Sequence, residues 1–119
     1  MLKNVILLLL TLQFFSCEEI IEVEDISEEN IIILAPSNNV TLSESAINFS
    51  WQPIAYADEY QLQIVTPNFE ASEQIILDTI ITASNHIKTL DGNDYQWRVK
   101  AINFAFETSY NTQTLTIEE

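Results

Sequence analysis

From Tyr95 to Ala101 the chain alternates without a break between apolar and polar side chains: Tyr95, Trp97, Val99 and Ala101 against Gln96, Arg98 and Lys100. An extended backbone sends successive side chains to opposite faces, so this segment is a strand with one apolar face and one polar face. On a helix the same residues would scatter around the axis. A strand that carries two large aromatic rings on one face must cover them with a second layer. Residues 30–119 contain no helical period long enough to supply that layer from helices. They contain more short alternating runs, broken by Asn, Asp, Ser and Pro. Ile31 to Ala35 ends at Pro36. Ile47, Phe49 and Trp51 alternate with Asn48 and Ser50, and Pro53 closes the run. Tyr60, Leu62 and Ile64 alternate with Gln61 and Gln63 before Pro67. Gln74 to Thr82, His86 to Leu90 and the run around Leu115 and Ile117 complete the set. Seven short strands in about 90 residues, separated by turn signals, predict an all-β, seven-stranded antiparallel sandwich of the immunoglobulin-like class.

The expected core is Leu34, Phe49, Trp51, Leu62, Ile64, Ile87, Tyr95, Trp97, Val99, Leu115 and Ile117. Buried side chains of this size contribute roughly 1.5–3 kcal/mol each, so the domain needs no disulfide. Asn and Asp tolerate the left-handed backbone region best among non-glycine residues. In a chain with a single glycine, Gly92, the candidates for such turn positions are Asn38, Asn39, Asn68, Asn85 and Asn93.

The stretch Leu90-Asp91-Gly92-Asn93-Asp94-Tyr95-Gln96-Trp97-Arg98-Val99-Lys100-Ala101-Ile102-Asn103 resembles the E–F corner and F strand of fibronectin type III domains. Trp51 with Pro53, Tyr60 to Ile64, and the pair Ile87 and Leu90 are similar to that family's B, C and E strands. The resemblance spans residues 30–118. It implies a tyrosine corner, with the Tyr95 hydroxyl bonded to backbone near Leu90. The usual Gly of the F–G loop is replaced by Phe104 to Ser109, and there is no Arg-Gly-Asp.

Residues 1–16 resemble a lipoprotein signal peptide. Lys3 precedes an apolar stretch of about 11 residues, too short to span a bilayer as a helix. Phe14-Phe15-Ser16-Cys17 is similar to the lipobox of Bacteroidota-type bacterial lipoproteins. That resemblance implies that Cys17 is lipidated and becomes the membrane anchor, placing the protein at the outer membrane, on the cell surface or facing the periplasm. Residues 17–29 follow as lipidated Cys and acidic tether, with seven acids and no base after Cys17. The acids either form a solvated spacer or act as the surface-export signal that such lipoproteins carry. Ile20, Ile21, Val23 and Ile26 leave room for partial structure in this segment.

Charge and chemistry-bearing residues narrow the function. The net charge is −14, from 18 acids and four bases, which argues against nucleic acid as a partner. One Cys and one His leave no cysteine-rich metal site and no support for a catalytic arrangement. No metal or cofactor is expected, and the chain does not read as an enzyme. His86 is expected at a strand surface. Asp91 to Asp94 resembles a fragment of a calcium loop without its closing bidentate Glu, and is read as a turn. Tyr56 in the B–C loop and Phe104, Phe106 and Tyr110 in the F–G loop are the candidate partner-binding residues. Such aromatics either stack on a protein or glycan partner or fold back to cap the core. Asp78-Thr79-Ile80 matches the short motif at which Bacteroidota O-glycosylate exported proteins, making Thr79 a candidate site. The resulting expectation is a membrane-anchored module that binds or scaffolds. The alternative is an accessory subunit of a larger outer-membrane assembly for polysaccharide uptake, secretion or motility. Similar domains serve as spacers in outer-membrane starch-binding lipoproteins, whose sugar-binding domains have no counterpart in this chain.

Overall fold

The computed structural model describes residues 22–119. The segment expected to be a signal peptide, Cys17 and the first acids after it lie outside the described residues. Within residues 22–119, eight strands form two sheets: β1 (Ile33–Ala35), β2 (Val40–Leu42), β3 (Ala46–Trp51), β4 (Glu59–Thr66), β5 (Gln74–Ile81), β6 (Asn85–Thr89), β7 (Asn93–Ile102) and β8 (Asn111–Ile117). The three-stranded sheet has the order β1-β3-β6 and the five-stranded sheet the order β2-β8-β7-β4-β5. The strand beyond the expected seven is β2. It arises because the first run switches sheets after Pro36, which offers no N–H to a ladder. β1 pairs antiparallel with β3, whereas β2 pairs parallel with β8, Val40 opposite Leu115 and Leu42 opposite Ile117. Asn38 and Asn39 hold the switch: the Asn38 side-chain oxygen accepts the Thr114 N–H at 2.9 Å, and Asn39 donates to the Thr114 carbonyl. Asn39 takes the left-handed conformation, with φ of 60°.

The inward residues of the two sheets meet in one core. From the three-stranded sheet come Ile47, Phe49 and Trp51; from the five-stranded sheet come Tyr60, Leu62, Ile64, Tyr95, Trp97, Val99, Ala101, Leu115 and Ile117. Phe49 meets Trp97 edge to face across the sheets, with ring centres 4.9 Å apart and planes at 68°. Trp51 meets Tyr60 in the same manner at 5.5 Å. The Tyr95 hydroxyl donates to the Asp91 carbonyl at 2.7 Å and closes the turn before β7. Burial pushes this hydroxyl's pKa above the ordinary tyrosine range, and the Asp91 carboxylate adds to the effect.

Two expected core residues lie outside. Leu34 is 56% exposed and Ile87 is 66% exposed. The inward residues of the first run are Ile31 and Ile33, with Ile33 paired to Trp51. On β6, Ile87 pairs with the outward Asn48, while His86 pairs with Phe49 and Lys88 with Ile47. The half-buried His86 and Lys88 therefore lie on the inward side at the sheet's edge, where a long side chain reaches water past the apolar residues it covers.

The core also draws on the acidic segment. Ile26 is 2% exposed and packs in the same cluster. A turn places it there: Glu29 donates to the Ile26 carbonyl, and the Asp25 carboxylate accepts both the backbone N–H and the hydroxyl of Ser27. These bonds favour the ionised form and hold the Asp25 pKa below its usual value.

Candidate functional site

Three segments converge at one end of the sandwich: the β3–β4 loop, the β7–β8 loop and residues 22–26. Asn103, 8% exposed, joins them. Its amide nitrogen donates to the Glu24 carbonyl at 2.8 Å and to the Tyr56 carbonyl at 3.3 Å. Its amide oxygen accepts from the N–H groups of Ala105 and Phe106 at 3.1 and 2.8 Å. Both ends of a buried amide are thus satisfied. One side chain fixes both loops and the amino-terminal segment.

The four candidate aromatics divide. Tyr56 and Phe104 are 68% and 89% exposed, and line one shallow open depression with Glu22, Val23, Glu24, Asp58 and Asn103. Tyr56 has φ of 67°, an uncommon state for a bulky residue, and its carbonyl is one of those Asn103 holds. Phe106 is half-buried and packs against the core, capping it. Tyr110 sits apart from both.

Tyr110 belongs to a second surface, the outer face of the five-stranded sheet. There the Arg98 guanidinium lies between two rings, 4.0 Å from the centre of Phe69 and 4.3 Å from that of Tyr110. The Lys100 ammonium is 4.8 Å from the Tyr110 ring and 3.1 Å from a Glu107 carboxylate oxygen. Arg98 Nε donates to Gln63 at 2.7 Å, and Gln61 donates to Asp78 at 3.0 Å. The Gln96 side chain accepts the Phe69 N–H at 2.9 Å and so seats the loop carrying that ring. Register aligns Thr112, Arg98, Gln63 and Asp78 in one row across four strands. Beside it, Phe69, Arg98, Gln63, Asp78, Val65 and Ile75 border a cleft of about 210 Å³. The domain's three bases are Lys88, Arg98 and Lys100, so two of them share this face. Sequence alternation placed Arg98 and Lys100 on one face. It gave no sign of Phe69, which reaches Arg98 from the β4–β5 loop, or of Asn103 as a junction.

Thr79 lies on the edge strand β5 opposite the fully buried Leu62; its side chain is half-buried on the inward side. Asp91 and Asp94 serve the turn: the Asp91 carbonyl accepts from Tyr95, and Asp94 accepts from Thr116 through its carboxylate and from Thr66 through its carbonyl. Among the described residues no group of three or more His, Cys, Asp or Glu side chains is placed to hold a metal ion.

No family model and no curated protein matches the chain. Solved structures match its fold. The fibronectin(III)-like modules of Clostridium thermocellum CbhA superpose with a TM-score of 0.54 at 9% identity, covering 75% of this chain and 96% of that one. The fn3 domain of the human collagen alpha-1(XX) chain superposes with a TM-score of 0.57 at 16% identity, covering 78% and 90%. Residues 22–119 therefore form an all-β, immunoglobulin-like sandwich with the fibronectin type III fold.

Proposed function

We propose that this chain is a non-enzymatic lipoprotein, anchored at the outer membrane through lipid on Cys17, that displays one binding module at the cell surface. The observation that carries the binding role is Arg98, held between Phe69 and Tyr110 on the outer face of the five-stranded sheet. Rings on both sides fix the guanidinium, while Gln63 takes Nε. A fixed cation beside amide and hydroxyl side chains suits a carboxylate- or hydroxyl-bearing partner, either a glycan or a protein. The test is retention of the protein by envelope polysaccharides in affinity gels, together with cross-linking from a photoreactive residue at the exposed Thr112. Loss of either signal in Arg98→Ala supports the assignment. Absence of both in the parent protein overturns it.

A second reading, an accessory subunit of a larger envelope assembly, is favoured by β5. Among the described residues this eight-residue strand pairs on one side only, with β4, and it exposes Ile75 (67%) and Ile80 (54%) beside a single charge, Asp78. Such an edge is suited to accept a partner's strand. Ile80→Lys should then strip envelope partners from the detergent-extracted lipoprotein without changing its unfolding midpoint. Partners retained in that variant would exclude the edge as the interface.

A further inference from the structure

The geometry points to the Tyr56–Phe104 end as a surface that seats on the membrane, against a zwitterionic lipid interface. This inference rests on the anchor at Cys17. Glu22 lies on the rim of the depression that Tyr56 and Phe104 line. Five residue steps separate Cys17 from Glu22, a reach of about 17 Å even when fully extended. From Glu24 onward the segment is fastened to the domain, through the Asn103 bond to the Glu24 carbonyl and through the burial of Ile26. The acidic segment is therefore a short leash over most of its useful length, and it leaves from the end that carries the exposed rings. The ten residues of β7 run for roughly 30 Å toward the opposite end, where Ser43 and Gly92 lie. An anchored domain thus keeps its Tyr56–Phe104 end at the bilayer.

The chemistry of that end fits the place. Phe104, at 89% exposed, and Tyr56 combine apolar rings with one polar tip, the kind of side chain that settles at a bilayer interface. Weak insertion suffices, because the anchor holds the rings at high effective concentration near the lipid. Glu22, Glu24 and Asp58 edge the same depression. These carboxylates would repel an anionic surface and can pair with the ammonium groups of ethanolamine or choline headgroups.

The test uses the lipidated full-length protein in vesicles of phosphatidylcholine and phosphatidylethanolamine. Ala105→Cys, beside the intact Phe104, carries a nitroxide label, and Ser43→Cys carries the same label at the opposite end as the reference. Both sites are exposed, so both variants should keep the parent's unfolding midpoint. Membrane seating predicts loss of access to a water-soluble nickel chelate and gain of access to oxygen at position 105, with position 43 remaining open to nickel. A vesicle-bound protein whose position 105 is as open to nickel as position 43 overturns the seating alone. A protein that does not float with vesicles, and whose intact mass shows no acyl chains, overturns the anchor and the seating together.

Discussion

Ile26→Ala tests whether the acidic segment belongs to the folded unit. The substitution removes three carbons from a side chain that is 2% exposed and packs within the core cluster. At about 0.8 kcal/mol per buried methylene the transfer loss is about 2.4 kcal/mol. The cavity left behind brings the cost to about 3 kcal/mol, within the 2–5 kcal/mol usual for Ile→Ala in a core. For a domain of this size that lowers the melting midpoint by roughly 12–24 °C. Urea unfolding of residues 22–119, followed by the fluorescence of the buried Trp51 and Trp97, measures it directly. The denaturant slope should be unchanged, because the exposed area on unfolding hardly alters. Ile32→Ala, at a residue 54% exposed two positions before Leu34, serves as the comparison and should cost less than about 1 kcal/mol. A fragment beginning at Asn30 should be less stable than one beginning at Glu22 by at least the Ile26→Ala cost, since it also loses the bond from Asn103 to Glu24. If Ile26→Ala stays within about 0.5 kcal/mol of the parent, the segment is a free spacer and the short-leash argument fails with it.

Asn103→Ala should cost about 2–3 kcal/mol in the same assay, because it strands donors at Ala105 and Phe106 and acceptors at Glu24 and Tyr56. Asn103→Asp should cost less, since the acceptor half survives. The raised pKa of Tyr95 sets an alkaline limit. Both states are protonated below about pH 10, and above it the unfolded chain releases the proton first, so stability falls as pH rises through the folded-state pKa. Tyr95→Phe should lose about 1 kcal/mol at neutral pH and flatten that alkaline decline; an unchanged slope would assign the decline to other groups. Gly92→Ala should be nearly neutral, within about 0.5 kcal/mol: Gly92 has no positive φ, and the atoms nearest an added methyl belong to the exposed side chain of Glu119, which must swing aside to admit it.

How much of this was legible in the sequence varies from strand to strand, for identifiable reasons. β7 showed itself best, because the alternation from Tyr95 to Ala101 carries its own phase; the structure extends the strand only by Asn93, Asp94 and Ile102. The run Ile31 to Ala35 is apolar at every position, so alternation has no phase there; pairing with Trp51 selects Ile33 and leaves Leu34 outside. Ile87 stands alone between His86 and Lys88, and the register with Asn48, invisible in sequence, turns it outward. Ile26 was obscured by its acidic neighbours, although the Asp25–Ser27 turn that buries it is built from residue types that favour turns. The division among the aromatics depended on contacts at long sequence separation: Phe69 with Arg98, and Asn103 with Glu24 and Tyr56. No local pattern encodes such contacts.

The parallel pairing of β2 with β8 has a mechanical consequence. Tension applied between the amino-terminal side of β2 and the carboxyl-terminal end of β8 pulls these two strands along their length in opposite directions. The three aligned pairs, Val40 with Leu115, Thr41 with Thr116 and Leu42 with Ile117, then carry the load together in shear instead of opening one after another as in a peeled hairpin. Placed between a fixed surface and a moving partner, the domain would transmit force and keep its shape.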